Sequence, residues 1–170
     1  MELTTSITLY GEIINIPETF LNWLEYCKEL MNRFGFIANY VGVTSESFRS
    51  GKIRSLTKIE NKIRQAINKG ENINYIAVYS LPNNFKLAAL DFNISMCIYN
   101  NLPPMFVTFT VRRELFKGVN YEDIIGRLKH FIKFKNGEIY DIDIEEFPES
   151  YAFKANKDSS YKSLNVQKRF

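Results

Sequence analysis

Tyr75-Ile76-Ala77-Val78-Tyr79-Ser80-Leu81-Pro82-Asn83-Asn84-Phe85 and, further on, Met105-Phe106-Val107-Thr108-Phe109-Thr110-Val111 are the segments on which the fold turns. β-Branched and aromatic residues fill Tyr75 to Leu81 and recur through Phe85 to Tyr99. Pro82-Asn83-Asn84 between them predicts a hairpin, because asparagine tolerates the left-handed backbone that such a turn needs. After Pro103-Pro104, the residues Met105, Val107, Phe109 and Val111 fall on one side of a further strand. The middle of the chain therefore predicts three neighbouring antiparallel strands.

Working outward toward the N-terminus, Thr4 to Ile14 is rich in β-branched residues and predicts a first strand. Pro17 suits a first helical turn, and Phe20, Leu24, Cys27, Leu30, Met31 and Phe34 recur at helical spacing up to Gly35. Phe36 to Val43 predicts a second strand. Thr57 with Glu60 forms a capping-box pattern ahead of Ile59, Ile63, Ala66 and Ile67, and this second helix is expected to stop at Gly70. Toward the C-terminus, Asn120 caps a third helix, with Tyr121, Ile124, Ile125, Leu128 and Ile132 on its apolar stripe and Gly137 as its end. Ile139 to Glu145 alternates isoleucines with carboxylates and predicts a half-exposed edge strand with Asp141, Asp143 and Glu145 on its outer face. The polar tail from Lys154 onward is expected to be poorly ordered. The order β-α-β-α-β-β-β-α-β predicts one α+β domain over residues 1–153, with a mixed or mainly antiparallel sheet covered by about three amphipathic helices, and a polar tail over 154–170.

With 45% hydrophobic residues, 14 Phe and 10 Tyr, the chain has enough apolar surface to fold without disulfides or metal. Cys27 and Cys97 lie in apolar patterns and predict free buried thiols. No secretory signal opens the chain, and Asn100 to Pro104 interrupts the uncharged run from Phe92 to Val111, so a cytoplasmic protein without a membrane span is expected. A net charge of +3 is small, but the charges are segregated. Arg49 to Lys69 holds seven basic residues against Glu60 alone, whereas Glu138 to Glu149 holds six acidic residues and no basic one.

The common catalytic patterns are missing. The eight glycines never reach the spacing of a phosphate-cradling loop, so no nucleotide cofactor is expected. His130 is the single histidine; it removes multi-histidine metal sites, and its place in the basic end of the third helix predicts a solvated side chain. Asp141, Asp143 and Glu145 at alternate strand positions are too widely spaced to hold one ion unaided, so no metal is expected. With Glu146 and Glu149 they form instead an acidic patch suited to a basic protein partner. The alternative surface is the second helix, where Arg54, Lys58, Lys62 and Lys69 would contact nucleic-acid phosphates.

Three passages, Leu9-Tyr10-Gly11-Glu12-Ile13, Gly42-Val43-Thr44-Ser45-Glu46-Ser47-Phe48-Arg49 and Tyr79-Ser80-Leu81-Pro82-Asn83-Asn84-Phe85-Lys86, give the chain a further character. In overall type it resembles the single-domain immunity proteins of bacterial polymorphic-toxin and contact-dependent growth inhibition systems. The resemblance implies a non-enzymatic protein that binds a cognate toxin domain, such as a nuclease, and blocks its active site. It assigns no residue roles.

Overall fold

The computed structural model describes residues 1–170 and is of the α+β class: one eight-stranded, wholly antiparallel sheet with helices packed on it. The strands are β1 (Leu3–Ile13), β2 (Tyr40–Thr44), β3 (Arg54–Ser55), β4 (Tyr75–Ser80), β5 (Ile94–Tyr99), β6 (Met105–Arg112), β7 (Ile132–Asp143) and β8 (Asn165–Arg169), in the spatial order β3-β2-β4-β5-β6-β1-β7-β8. Three helices of eight or more residues are present, α1 (Pro17–Arg33), α2 (Leu56–Asn68) and α4 (Tyr121–Leu128), together with the short α3 (Ala88–Asp91) and α5 (Pro148–Ala152).

Alternation sorts the side chains into two layers. Ile7 and Leu9 of β1, Val107, Phe109 and Val111 of β6, and Ile94, Met96 and Ile98 of β5 share one face. Against them pack Phe20, Trp23, Leu24, Cys27, Leu30 and Met31 of α1, Ile59, Ile63 and Ile67 of α2, and Ile124 and Leu128 of α4, forming one core of 30 buried residues. The helical periodicity is thus the record of a real buried stripe.

The opposite face is also buried at its centre, but in a different chemistry. Ser6 and Thr110 hydrogen-bond across the β1–β6 pair at 2.8 Å, Thr8 and Thr108 do so at 2.9 Å, and the Thr4 hydroxyl donates to the Ile142 carbonyl at 2.9 Å. Hydroxyls that satisfy one another tolerate burial. The segment after β7 folds back over this side with α5, where Tyr10 donates its hydroxyl to the Ala152 carbonyl at 2.9 Å and packs with Phe106, Phe92 and Ile144.

Several expectations are corrected. The hairpin at Pro82 is a longer excursion that carries α3 before β5 begins at Ile94. Gly35 and Gly70 do follow helix ends in the left-handed conformation, but the Thr57–Glu60 capping box does not form; Glu60 instead pairs with Lys28 at 2.6 Å and with Arg64 at 3.1 Å. The third helix ends at Leu128 and passes through a 3-10 turn into β7, so Gly137 lies inside a strand. β7 is an interior strand between β1 and β8, and Ile139 stands on the same side as Asp141, so the run is not a half-exposed edge. The tail is tied down: β8 pairs with β7, and the Phe170 backbone exchanges hydrogen bonds with Gly137 at 2.7 and 3.0 Å while its ring stacks on Phe134. α5 and the segment leading into β8 cover the far side of β7, where Tyr140 and Ile142 pack with Tyr151 and Tyr161 in a small, mostly aromatic core. The true edges are β3, two residues long, and β8, which carries Lys168 and Arg169; short or charged edges resist adding further strands.

Candidate functional site

The five acidic residues expected to form one outward patch are separated by the fold. Asp141 is 1% exposed; it accepts a hydrogen bond from the Thr5 hydroxyl at 2.6 Å, and its other oxygen lies 3.4 Å from the Arg113 guanidinium. Asp143 is buried and accepts the Glu145 N–H at 3.0 Å, closing the turn after β7. Glu146 accepts backbone N–H bonds from Lys162 at 2.7 Å and Ser163 at 2.8 Å and so anchors the segment leading to β8. Glu149 points into the hydroxyl-bearing side of the sheet. Only Glu145 remains exposed. These carboxylates act inside the fold because interior position and local turn bonds, rather than strand alternation, decide where they point.

The basic residues behave oppositely. Arg54 of β3, Lys58 and Lys62 of α2, and Lys69 at its C-terminal cap are all exposed, as are Arg49 and Lys52 in the loop ahead of them. None of the six forms an ion pair, whereas Arg64 on the same helix is paired with Glu60 at 3.1 Å and also with Glu25. Lys58, Lys62 and Lys69 lie opposite the buried stripe of Ile59, Ile63 and Ile67, so the burial of one side of α2 dictates the exposure of the other. Arg54 lies on the edge strand β3, and Lys58, Lys62 and Lys69 follow along the exposed side of the helix that continues from it.

A second feature has no counterpart in the sequence reading. A cavity of about 360 Å³ opens on the hydroxyl face, lined by Tyr79, Phe92, Ser95, Phe147, Glu149 and Phe153 among others. β4 and β5 supply Tyr79 and Ser95, β6 supplies Thr108 and Thr110, and α5 with its flanks supplies the cover. Oε1 of Glu149 accepts bonds from the Tyr75 hydroxyl at 2.8 Å and from Cys97 Sγ at 3.0 Å. Burial raises its carboxyl above the ordinary carboxylate range, and these two hydrogen bonds offset that only in part. Burial likewise pushes up the Tyr75, Tyr79 and Cys97 groups that face it, reinforced by the carboxylate itself. Phe147, 43% exposed at the cavity, holds φ 55°, ψ 85°, a left-handed conformation costing about 1–2 kcal/mol for a residue with a side chain. Nothing in the sequence signalled this cavity, since Tyr79, Ser95, Glu149 and Phe153 are joined only by sheet pairing and the return of α5.

Glu138 and Glu149 bias the pH dependence of stability in opposite directions. At Glu138, burial alone would raise the carboxyl, but bonds from Lys154 at 2.8 Å and Arg169 at 3.1 Å outweigh it and hold the group below its usual range. Its stabilisation is complete above the unfolded value of about 4.3 and is lost as pH falls through the folded one. Glu149 has the raised folded value, so it penalises the fold as pH rises from about 4.3 through that value. Lowering the pH from about 8 to about 5 is therefore expected to raise the urea midpoint of the wild type relative to Glu149→Gln. Parallel midpoints over that range would remove Glu149 as the source.

His130 is exposed in the 3-10 turn after α4, Cys27 and Cys97 are free and buried, and no three His, Cys, Asp or Glu side chains gather at a spacing that would hold a metal ion. No helix is long and apolar enough to cross a membrane. Comparison of the chain with protein-family models, with curated proteins and with solved structures gave no match.

Proposed function

We propose that the chain is a stoichiometric binding protein that neutralises a cognate toxin domain by covering its active site, and that it makes contact through the basic margin of Arg49, Lys52, Arg54, Lys58, Lys62 and Lys69. The observation that carries the contact surface is that all six cations are exposed and lack an ion-pair partner within the chain. Unpaired charge of one sign on one margin raises the encounter rate with an oppositely charged surface and disfavours other partners. The toxin-neutralising role itself rests on the overall likeness to immunity proteins. The partner's complementary face is accordingly acidic, the reverse of the charge expected from the acidic run at Glu138 to Glu149.

The experiment is capture of partners from the native host by the tagged chain in moderate salt, followed by association kinetics with the recovered protein. A single stoichiometric partner bearing a toxin domain is expected, and co-expression of the chain is expected to relieve that domain's toxicity. Charge reversal in Arg54→Glu, Lys58→Glu, Lys62→Glu and Lys69→Glu together is expected to slow association by about 10- to 1,000-fold at low salt. An unchanged rate would place the contact elsewhere. The same unpaired cations favour a second reading, nucleic-acid binding, which predicts retention on DNA or RNA at low salt and steep loss of affinity as salt rises.

A further inference from the structure

The cavity behind α5 shares no lining residue with the basic surface proposed for toxin binding, and it holds an ionisable group that the fold does not neutralise. A carboxylate drawn out of water needs a cation or several donors to offset its lost hydration. Glu149 has two donors, both on Oε1. Lys154, the nearest lysine along the chain, is committed elsewhere: its ammonium lies 2.8 Å from Glu138 and 3.8 Å from the centre of the Tyr151 ring. No Lys or Arg shares an ion pair with Glu149, which is among the residues lining the cavity.

The walls narrow the choice of occupant. Phe92, Phe147 and Phe153 offer aromatic surface, and Ser95 adds a hydroxyl with no protein hydrogen-bond partner. Aromatic faces attract a cation as well as an apolar body, whereas an anion would meet the Glu149 carboxylate. The volume of about 360 Å³ lies in the range of small-molecule sites. We infer that this cavity is a binding site for a small organic amine, whose ammonium group pairs with the Glu149 carboxylate while its apolar portion lies against Phe92, Phe147 and Phe153. The exposed, left-handed Phe147 then acts as part of the cover over the bound amine. This inference stands or falls independently of toxin binding.

The test is isothermal titration of the full-length chain near neutral pH with three probes of one shape: benzylamine, benzyl alcohol and benzoate. Benzylamine is expected to bind at least about 10-fold more tightly than benzyl alcohol, and benzoate not at all. Glu149→Gln is expected to reduce benzylamine affinity by about 10-fold or more, equivalent to about 1.4 kcal/mol. Ala155 is exposed and lines the cavity, so Ala155→Trp is expected to obstruct it and abolish binding without touching Glu149. Circular dichroism confirms that each variant is folded, and if Glu149→Gln unfolds, Ala155→Trp and the probe series decide the matter. Equal binding of benzyl alcohol, benzylamine affinity unchanged in a folded Glu149→Gln or Ala155→Trp variant, or no binding of any probe would overturn the inference.

Discussion

Gly11→Ala is expected to destabilise the protein by about 3 kcal/mol or more, read as a fall in the urea midpoint. A Cβ on Gly11 would lie 2.0 Å from the Lys133 carbonyl oxygen of β7, and that oxygen belongs to the backbone and cannot rotate aside. The register of β1 against β7 shifts between Tyr10 and Gly11, so the bulge brings the two backbones together at this residue. Accommodating alanine requires separating two paired interior strands of the sheet. Gly126→Ala is the contrasting control. Gly126 sits on α4 with open space where its Cβ would be, so alanine there is expected to stabilise by about 0.5–1 kcal/mol through helix propensity. A Gly11→Ala variant as stable as the wild type would mean that β1 and β7 are not in the register described.

Trp23→Ala is expected to cost about 3–5 kcal/mol, the usual range for removing a large aromatic side chain from a packed core. Trp23 is fully buried in α1 and meets Phe131 edge-on, with ring centres 5.0 Å apart. Phe131 in turn stacks against Tyr26 with centres 5.8 Å apart, so this cluster ties α1 to the turn that ends α4. The Trp23 indole N–H is buried with no hydrogen-bond partner, a penalty that the native fold already carries. Trp23→Phe removes that group and keeps an aromatic ring, and is expected to cost at least about 2 kcal/mol less than Trp23→Ala. Equal losses from the two substitutions, measured by chemical denaturation, would show that ring packing contributes little at this position.

The legibility of the chain varied with how local each physical cause was. α1 was readable because Phe20, Leu24, Cys27 and Leu30 repeat at the helical period, and Gly35 does take the left-handed conformation that ends it. β6 was readable because Val107, Phe109 and Val111 alternate with threonines. β7 misled because its lysines and asparagine continue the polar end of α4, while Ile132 has already paired with Ile13 as a strand. The tail misled for a related reason: Asn165 to Arg169 is polar, and its strand state comes from the unpaired edge that β7 offers it rather than from its own propensity. The cationic residues of α2 were placed correctly on an exposed surface, since the apolar stripe of a helix leaves its other side to solvent. The acidic run was not, because alternation along a strand gives parity but does not say which side has been covered.

What the sequence determined by itself was therefore the class of the fold, the existence of α1, α2 and the central strands, the free buried thiols and the separation of charge along the chain. Each follows from interactions among residues close in sequence or from composition. Only the tertiary structure decided that β7 lies inside the sheet, that Asp141 and Asp143 are drawn inward, and that Glu149 meets Tyr75 and Cys97 beside a cavity. Those outcomes depend on pairings between residues far apart in the chain, such as Cys97 with Glu149, 52 positions apart, and Thr4 with Ile142, 138 positions apart. At such separations no periodicity is shared by the partners, and the free energy of contact is set by the folded sheet as a whole.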